Sequence, residues 1–133
     1  MFDPVINNLA AFASFFATAV VLLLAFLAIY IRVTPYNELT LIREGNTAAS
    51  ISLGGAVIGF ALPIAVSVSI SHDLIAMIAW GLVASLVQLL TFLAARLALP
   101  RLNESIPQGK LASGVFLASL AIGVGILNAG CIA

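Results

Sequence analysis

Few side chains in this sequence could do chemistry, and they are unevenly placed. The 133 residues include five Lys or Arg, five Asp or Glu and one His, for a formal net charge of zero. Glu38, Arg43, Glu44 and Asn46 lie close together and suit ion pairing and hydrogen bonding, so they form a candidate contact site for a partner. His72-Asp73 is a second polar pair. A lone imidazole there could sense pH or simply be a solvated turn residue. No His, Cys, Asp and Glu spacing suits a metal, and neither a nucleophile–base motif nor a Gly-rich phosphate loop is present. The expectation is no enzyme, no cofactor and no metal. Zero net charge without a basic patch gives no electrostatic case for nucleic acid. Cys131, the single cysteine, could make an intermolecular bridge or serve as a small buried apolar side chain.

The elements that must position these residues follow from composition. The chain is 63% hydrophobic and 8% charged, against roughly 25% charged in soluble domains. Too few charges are present to cover a water-exposed surface, and the mean hydropathy of +1.24 points to lipid as the solvent. Four runs free of Asp, Glu, Lys, Arg and His are long enough to span a bilayer, which takes about 20 residues. They cover about Leu9–Ile31, Ala48–Ile70, Leu74–Ala95 and Leu111–Ile132. Hydrocarbon cannot satisfy open backbone groups, so these runs should be α-helices. They lack the short alternation of a barrel strand. With no positive charge before it, the first run reads as a retained anchor rather than a cleaved leader. The fold class is therefore all-α integral membrane, a single domain over residues 1–133.

The connections carry the polar residues. In the first loop, Thr34-Pro35 resembles a helix start. Leu39 and Ile42 then share a side, Glu38, Arg43 and Glu44 are exposed, and Gly45 is the stop. Asn46 reads as the cap of the second span. The third loop repeats this theme, with Pro100 as the start, Leu102 and Ile106 on one face, and Pro107 and Gly109 as the end. Ser71-His72-Asp73 makes a minimal turn, with Ser71 as the cap. All five basic residues (Arg32, Arg43, Arg96, Arg101 and Lys110) fall in the first and third loops. The positive-inside rule places those loops in the cytoplasm and both termini outside. Tyr30 and Tyr36 would flank that interface, with Trp80 in the opposite leaflet. A shift of 64 residues aligns Arg32 with Arg96, Ile42 with Ile106, Gly45 with Gly109 and Gly59 with Gly123. It implies two repeated helical hairpins, about 9–70 and 74–133, related by an axis along the membrane normal.

Each span also carries a stripe of small or polar residues. These are Ser14, Thr18, Val21, Ala25 and Ala28; Ala48, Ser52, Gly55 and Gly59 followed by Pro63; Gly81, Ser85, Gln88 and Ala95; and Gly114, Ala118, Ala121, Gly125 and Asn128. Such stripes let helices pack closely or line a pathway. Gln88 and Asn128 are the candidate intramembrane polar residues. At 1.5 Å per residue they differ in depth by roughly 15 Å and cannot bond each other. Pro63 removes one backbone donor, leaving either a packed kink or a hinge.

Thr34-Pro35-Tyr36-Asn37-Glu38, Leu41-Ile42, Gly45-Asn46-Thr47-Ala48-Ala49-Ser50, Gly59, Leu62-Pro63 and the ending Asn128-Ala129-Gly130-Cys131 together resemble the YjfL-like family of bacterial inner-membrane proteins, a domain of unknown function. The resemblance covers nearly the whole chain. It implies four helices, an inner-membrane location and no assigned substrate. It also implies a setting among envelope-stress proteins of the phage-shock type and ATP-grasp ligases. The functional expectation is a non-enzymatic partner-binding module in envelope maintenance or stress, docking through the first and third loops. The alternatives are a small oligomeric channel or carrier for ions or small solutes, and a structural subunit of a larger membrane complex. Expected partners are the lipid bilayer, other copies of the chain, or other membrane or envelope-stress proteins.

Overall fold

The computed structural model describes residues 3–133. Among them are six helices and no strand: α1 Asp3–Val33, α2 Glu38–Arg43, α3 Thr47–Ser71, α4 Leu74–Ala98, α5 Leu102–Ser105 and α6 Leu111–Ile132. The four long helices have 31, 25, 25 and 22 residues. At 1.5 Å per residue each exceeds the roughly 30 Å of a hydrocarbon core. Each is also apolar enough to cross it. The four expected spans are therefore present, and α1 extends further at both ends than the apolar run alone indicated.

The first and third connections meet at one end of the bundle, where Asn46 bonds to the carbonyls of Ile106 and Pro107. The α3–α4 turn lies at the other end, with His72 edge-on to Phe15 of α1. All five basic residues therefore lie at or beside the end that carries the two long loops, called here the loop end.

The tightest helix pair is α3 with α6, across the two expected hairpins rather than within either. They run side by side in the same direction and approach closely because glycine faces alanine or glycine where they touch. A Cβ added to Gly55 would strike Ala118, one on Gly59 would strike the Ala121 carbonyl, and one on Gly125 would strike the Gly59 carbonyl. One on Gly114 would sit 2.5 Å from the Ala48 carbonyl. Three of these four approaches aim a Cα–H at a backbone oxygen, a recurrent weak bond at helix seams. Pro63 lacks the N–H that would bond the carbonyl of Gly59 four residues earlier, and that carbonyl is the one facing Gly125. Here the proline serves a packed seam.

α4 lies against both α3 and α6 with Met77, Gly81, Ala84, Gln88, Thr91, Phe92 and Ala95 buried. α1 is held mainly through its second half. Phe26 stacks on Phe60 with centroids 4.5 Å apart, and Tyr30 meets the edge of Phe92 at 5.7 Å. The expected small-residue face of α1 is not its packing face. Ser14, Val21, Ala25 and Ala28 are exposed, while Phe26 and Tyr30 are buried and Phe15, Ala19, Leu22 and Leu23 partly so. In lipid both faces of an apolar helix are tolerated, so bulk and aromatic fit decide which side packs.

The turn between α3 and α4 also differs from expectation. Asp73, not Ser71, caps α4 by accepting from the Ile75 N–H at 3.1 Å. The Ser71 hydroxyl donates back to Ser67. His72 takes the left-handed conformation with φ 50° and ends α3.

Candidate functional site

The loop end holds the densest set of polar groups. After α1 the Thr34 N–H donates to the Tyr30 carbonyl. Its hydroxyl has one proton to give, with the carbonyls of Ile31 at 3.1 Å and Tyr36 at 3.2 Å in reach. The short helix does not start at Thr34-Pro35. Asn37 caps it, its side chain accepting from the Thr40 N–H at 3.2 Å, so Glu38 is the first helical residue. That shift of register turns the helix. Glu38 is 1% exposed and Leu39 is 48% exposed, the reverse of the expected faces. Glu38, Leu41 and Ile42, at i, i+3 and i+4, form the face that packs inward. Arg43 and Glu44 are exposed as expected, and Gly45 stops the helix at φ 85°.

The Glu38 carboxyl has no hydrogen-bond partner at either oxygen, and the buried Tyr36 hydroxyl has none either. Burial raises the Glu38 pKa above the ordinary carboxylate range, opposed in part by the Thr34 hydroxyl. Burial also raises that of the Tyr36 phenol, aided by Glu38 and opposed by Arg96. Tyr36 is thus part of the packed loop and not an exposed interfacial aromatic. Arg96 lies 6.0 Å from the Phe92 ring centroid, close to the outer limit for a cation–π contact.

Asn46 does two things with one amide. Its oxygen accepts from the Ala49 N–H at 3.0 Å, the expected cap of α3. Its nitrogen donates to the carbonyls of Ile106 at 2.8 Å and Pro107 at 3.2 Å. The first loop is thereby clasped to the third. There α5 begins at Leu102 rather than Pro100, with Leu102 and Ile106 buried as expected. Arg43, Glu44, Arg101, Glu104 and Lys110 are exposed on or beside the two loops so joined. Of the expected contact residues, Arg43 and Glu44 reach the surface there, Glu38 lies beneath it, and Asn46 holds the loops together.

The intramembrane candidates separate by role. Gly55 and Gly59 are buried in the α3–α6 seam, where backbone fills the space beside them, and Pro63 is buried about one turn further along α3. Gln88 is 1% exposed, and its nitrogen donates to the Ala121 carbonyl at 3.1 Å. Its oxygen has no partner. Asn128 is half-buried near the far end with its nitrogen unpartnered, and the two amides do not meet. Cys131 is exposed rather than buried. Among the described residues no three His, Cys, Asp or Glu side chains converge on a metal position. An apolar groove of about 570 Å³ opens between the outer half of α1 and α3, floored by Phe15, Ala19, Phe60 and Ile64, with Asn8 and His72 toward the turn end.

The burial of Glu38 is what sequence reasoning missed. The available signal was Asn37, a stronger cap than Thr34, which sets the register and hence the inward face.

The sequence comparisons agree with this architecture. The family profile described as Domain of Unknown Function (DUF350) matches residues 4–132. The chain is 36% identical over 127 residues to the UPF0719 inner membrane protein YjfL of Escherichia coli (strain K12), covering 96% of each chain. It is 27% identical over 125 residues to the UPF0719 transmembrane protein YshE of Bacillus subtilis (strain 168), covering 92% of this chain and 93% of that one. No solved structure matches. With four membrane-length helices and a match over nearly its full length, the chain belongs to the DUF350 family of membrane proteins.

Proposed function

We propose that the chain is a non-enzymatic membrane module that docks a partner protein on its loop end, with that end in the cytoplasm and both termini outside. The observation that carries this reading is the Asn46 clasp. It fixes two loops that are 60 residues apart in sequence into one rigid surface bearing exposed Arg43, Glu44, Arg101, Glu104 and Lys110. A rigid surface with both signs of charge selects a partner by charge complementarity, at a low entropic cost of ordering. The orientation is supported by the grouping of all five basic residues at that end. The setting, envelope maintenance or stress, rests on the family resemblance alone.

The two halves also support a repeated unit. The same 64-residue shift that pairs Gly45 with Gly109 pairs Thr47 with Leu111, the first residues of α3 and α6, and Glu38 with Leu102, the first of α2 and α5. Both glycines have positive φ, 85° and 76°.

Backbone fills the α3–α6 seam beside Gly55 and Gly59, which leaves no room there for a route for ions or solutes. Docking is tested by native mass in mild detergent after gentle extraction from membranes. Replacing Arg43, Glu44 and Arg101 together by Ala should release a bound partner and leave the helical content unchanged. An assembly of unchanged mass in that variant would refute docking at this surface.

A further inference from the structure

We propose that Glu38 is a proton-binding site at the loop end, its carboxyl protonated while α2 is seated on the bundle and ionised when α2 lifts into water. Three observations converge on it. First, the side chain is 1% exposed with neither oxygen hydrogen-bonded. An ionised carboxyl sealed from water without a well-formed hydrogen bond is disfavoured, the Thr34 hydroxyl and the residue's own N–H offsetting only part of that cost, and such a group neutralises instead. Second, the position is an apolar core position in the other half of the chain. Leu102 opens α5 as Glu38 opens α2, and it too is 1% exposed. A leucine fills that place without any electrostatic cost, so packing alone does not call for a carboxyl at Glu38. Third, the surroundings suit a neutral acid. Tyr36 of the link, whose buried hydroxyl has no hydrogen-bond partner, lies close enough to feel a charge on Glu38, and among side chains only the Thr34 hydroxyl favours the ionised form. Arg96 of α4 acts on Tyr36 and lies 6.0 Å from the Phe92 ring centroid.

The step is a simple exchange: the O–H bond of the acid breaks, the proton passes to water, and the carboxylate is hydrated as α2 swings out. Because the seated form holds the proton more tightly than the open form, seating is favoured fully at pH below the ordinary carboxyl pKa. It weakens as pH rises through the raised pKa of the seated form. The site is independent of whether a partner docks above it.

The test needs only the intact protein in micelles or nanodiscs. Glu38, Glu44 and Glu104 are the chain's three glutamates, so glutamate labelled with carbon-13 at the side-chain carboxyl gives three resonances. Titration should show two with ordinary midpoints and one displaced to higher pH. The displaced resonance should disappear in Glu38→Gln and persist in Glu44→Gln and Glu104→Gln. If Glu38→Gln does not fold, the other two variants assign the resonance by subtraction. Amide exchange at Leu41 and Ile42, corrected for intrinsic rates, should quicken as pH rises in the native sequence and stay level in Glu38→Gln. Three ordinary midpoints would overturn the proposal. So would a displaced midpoint that moves when sodium is replaced by a bulky organic cation, since the cage would then hold a metal ion.

Discussion

Replacing Gly59 by alanine offers the sharpest test of the packing argument, because the chain supplies its own control. On a free helix the change is favourable by up to about 1 kcal/mol, since alanine loses less backbone entropy than glycine. At Gly59 the new methyl would meet the Ala121 carbonyl and stand 2.6 Å from the Gln88 amide nitrogen. The first neighbour is backbone of α6 and cannot swing aside, so overpacking costs about 1–3 kcal/mol. The second is the donor of the Gln88–Ala121 bond, whose loss adds about 0.6–1.7 kcal/mol. The net expectation is destabilisation by about 1–4 kcal/mol. Gly123, its partner under the 64-residue shift, has nothing within 4 Å of the same methyl, so Gly123→Ala should be neutral or mildly stabilising. The assay is unfolding in mixed micelles titrated with a denaturing detergent, followed by fluorescence of Trp80, the single tryptophan. Equal shifts in the two variants, or a Gly59→Ala protein as stable as the parent, would refute the close α3–α6 seam.

Asn46→Ala should lose the cap and the clasp together, about 1–3 kcal/mol, and speed amide exchange at Ala49 and through the third loop. Asn46→Asp keeps the accepting oxygen and removes the donor, so Ala49 should stay protected while Lys110 and its neighbours loosen. Equal protection of both regions would show that the clasp contributes nothing. Gln88→Leu gives up one bond worth about 0.6–1.7 kcal/mol and also removes a buried unpartnered oxygen, itself a cost of about 1–3 kcal/mol. Its stability should therefore match or exceed that of the parent, and a loss above about 2 kcal/mol would mean that the oxygen has a partner in the membrane. Cys131 is exposed at the end away from the loops, so an impermeant maleimide added to intact cells should label it. Labelling only after permeabilisation would invert the proposed orientation.

The features legible in the sequence were those set by contrast with the solvent. Long uncharged runs bounded by charge fix the spans, and α6 falls on the expected residues because Lys110 ends one regime and the apolar run begins another. Asn46 and Gly45 were legible because cap and stop chemistry is local. The face of α1 was not, since every side of that helix is apolar and lipid accepts any of them. The fit of Phe26 on Phe60 depends on a neighbour that no local pattern announces. The α3–α6 partnership was half legible. Its glycines and alanines were visible as stripes, but their matching across the two halves depends on which helices approach. The burial of Glu38 was lost to a small error with a large effect. Starting α2 at Pro35 instead of Glu38 shifts the register of a helix of six residues and exchanges the places of Glu38 and Leu39.

Positions paired by the 64-residue shift differ in chemistry. Where the first half has Glu38 the second has Leu102, and where the first has Asn46 the second has Lys110. An asparagine both accepts and donates, so it can cap α3 and still reach the third loop. A lysine has no acceptor, and α6 accordingly begins without a side-chain cap. The clasp therefore runs one way, from the first loop to the third, with no reciprocal bond. The carbonyl of Ile42, the counterpart of Ile106, accepts only from Gly45, whereas that of Ile106 accepts from both Gly109 and Asn46. Glu38 is the first residue of α2 and Asn46 lies just past its end. In that arrangement a change in the charge of Glu38 acts on the short helix just before Asn46, the residue that ties the first loop to the third.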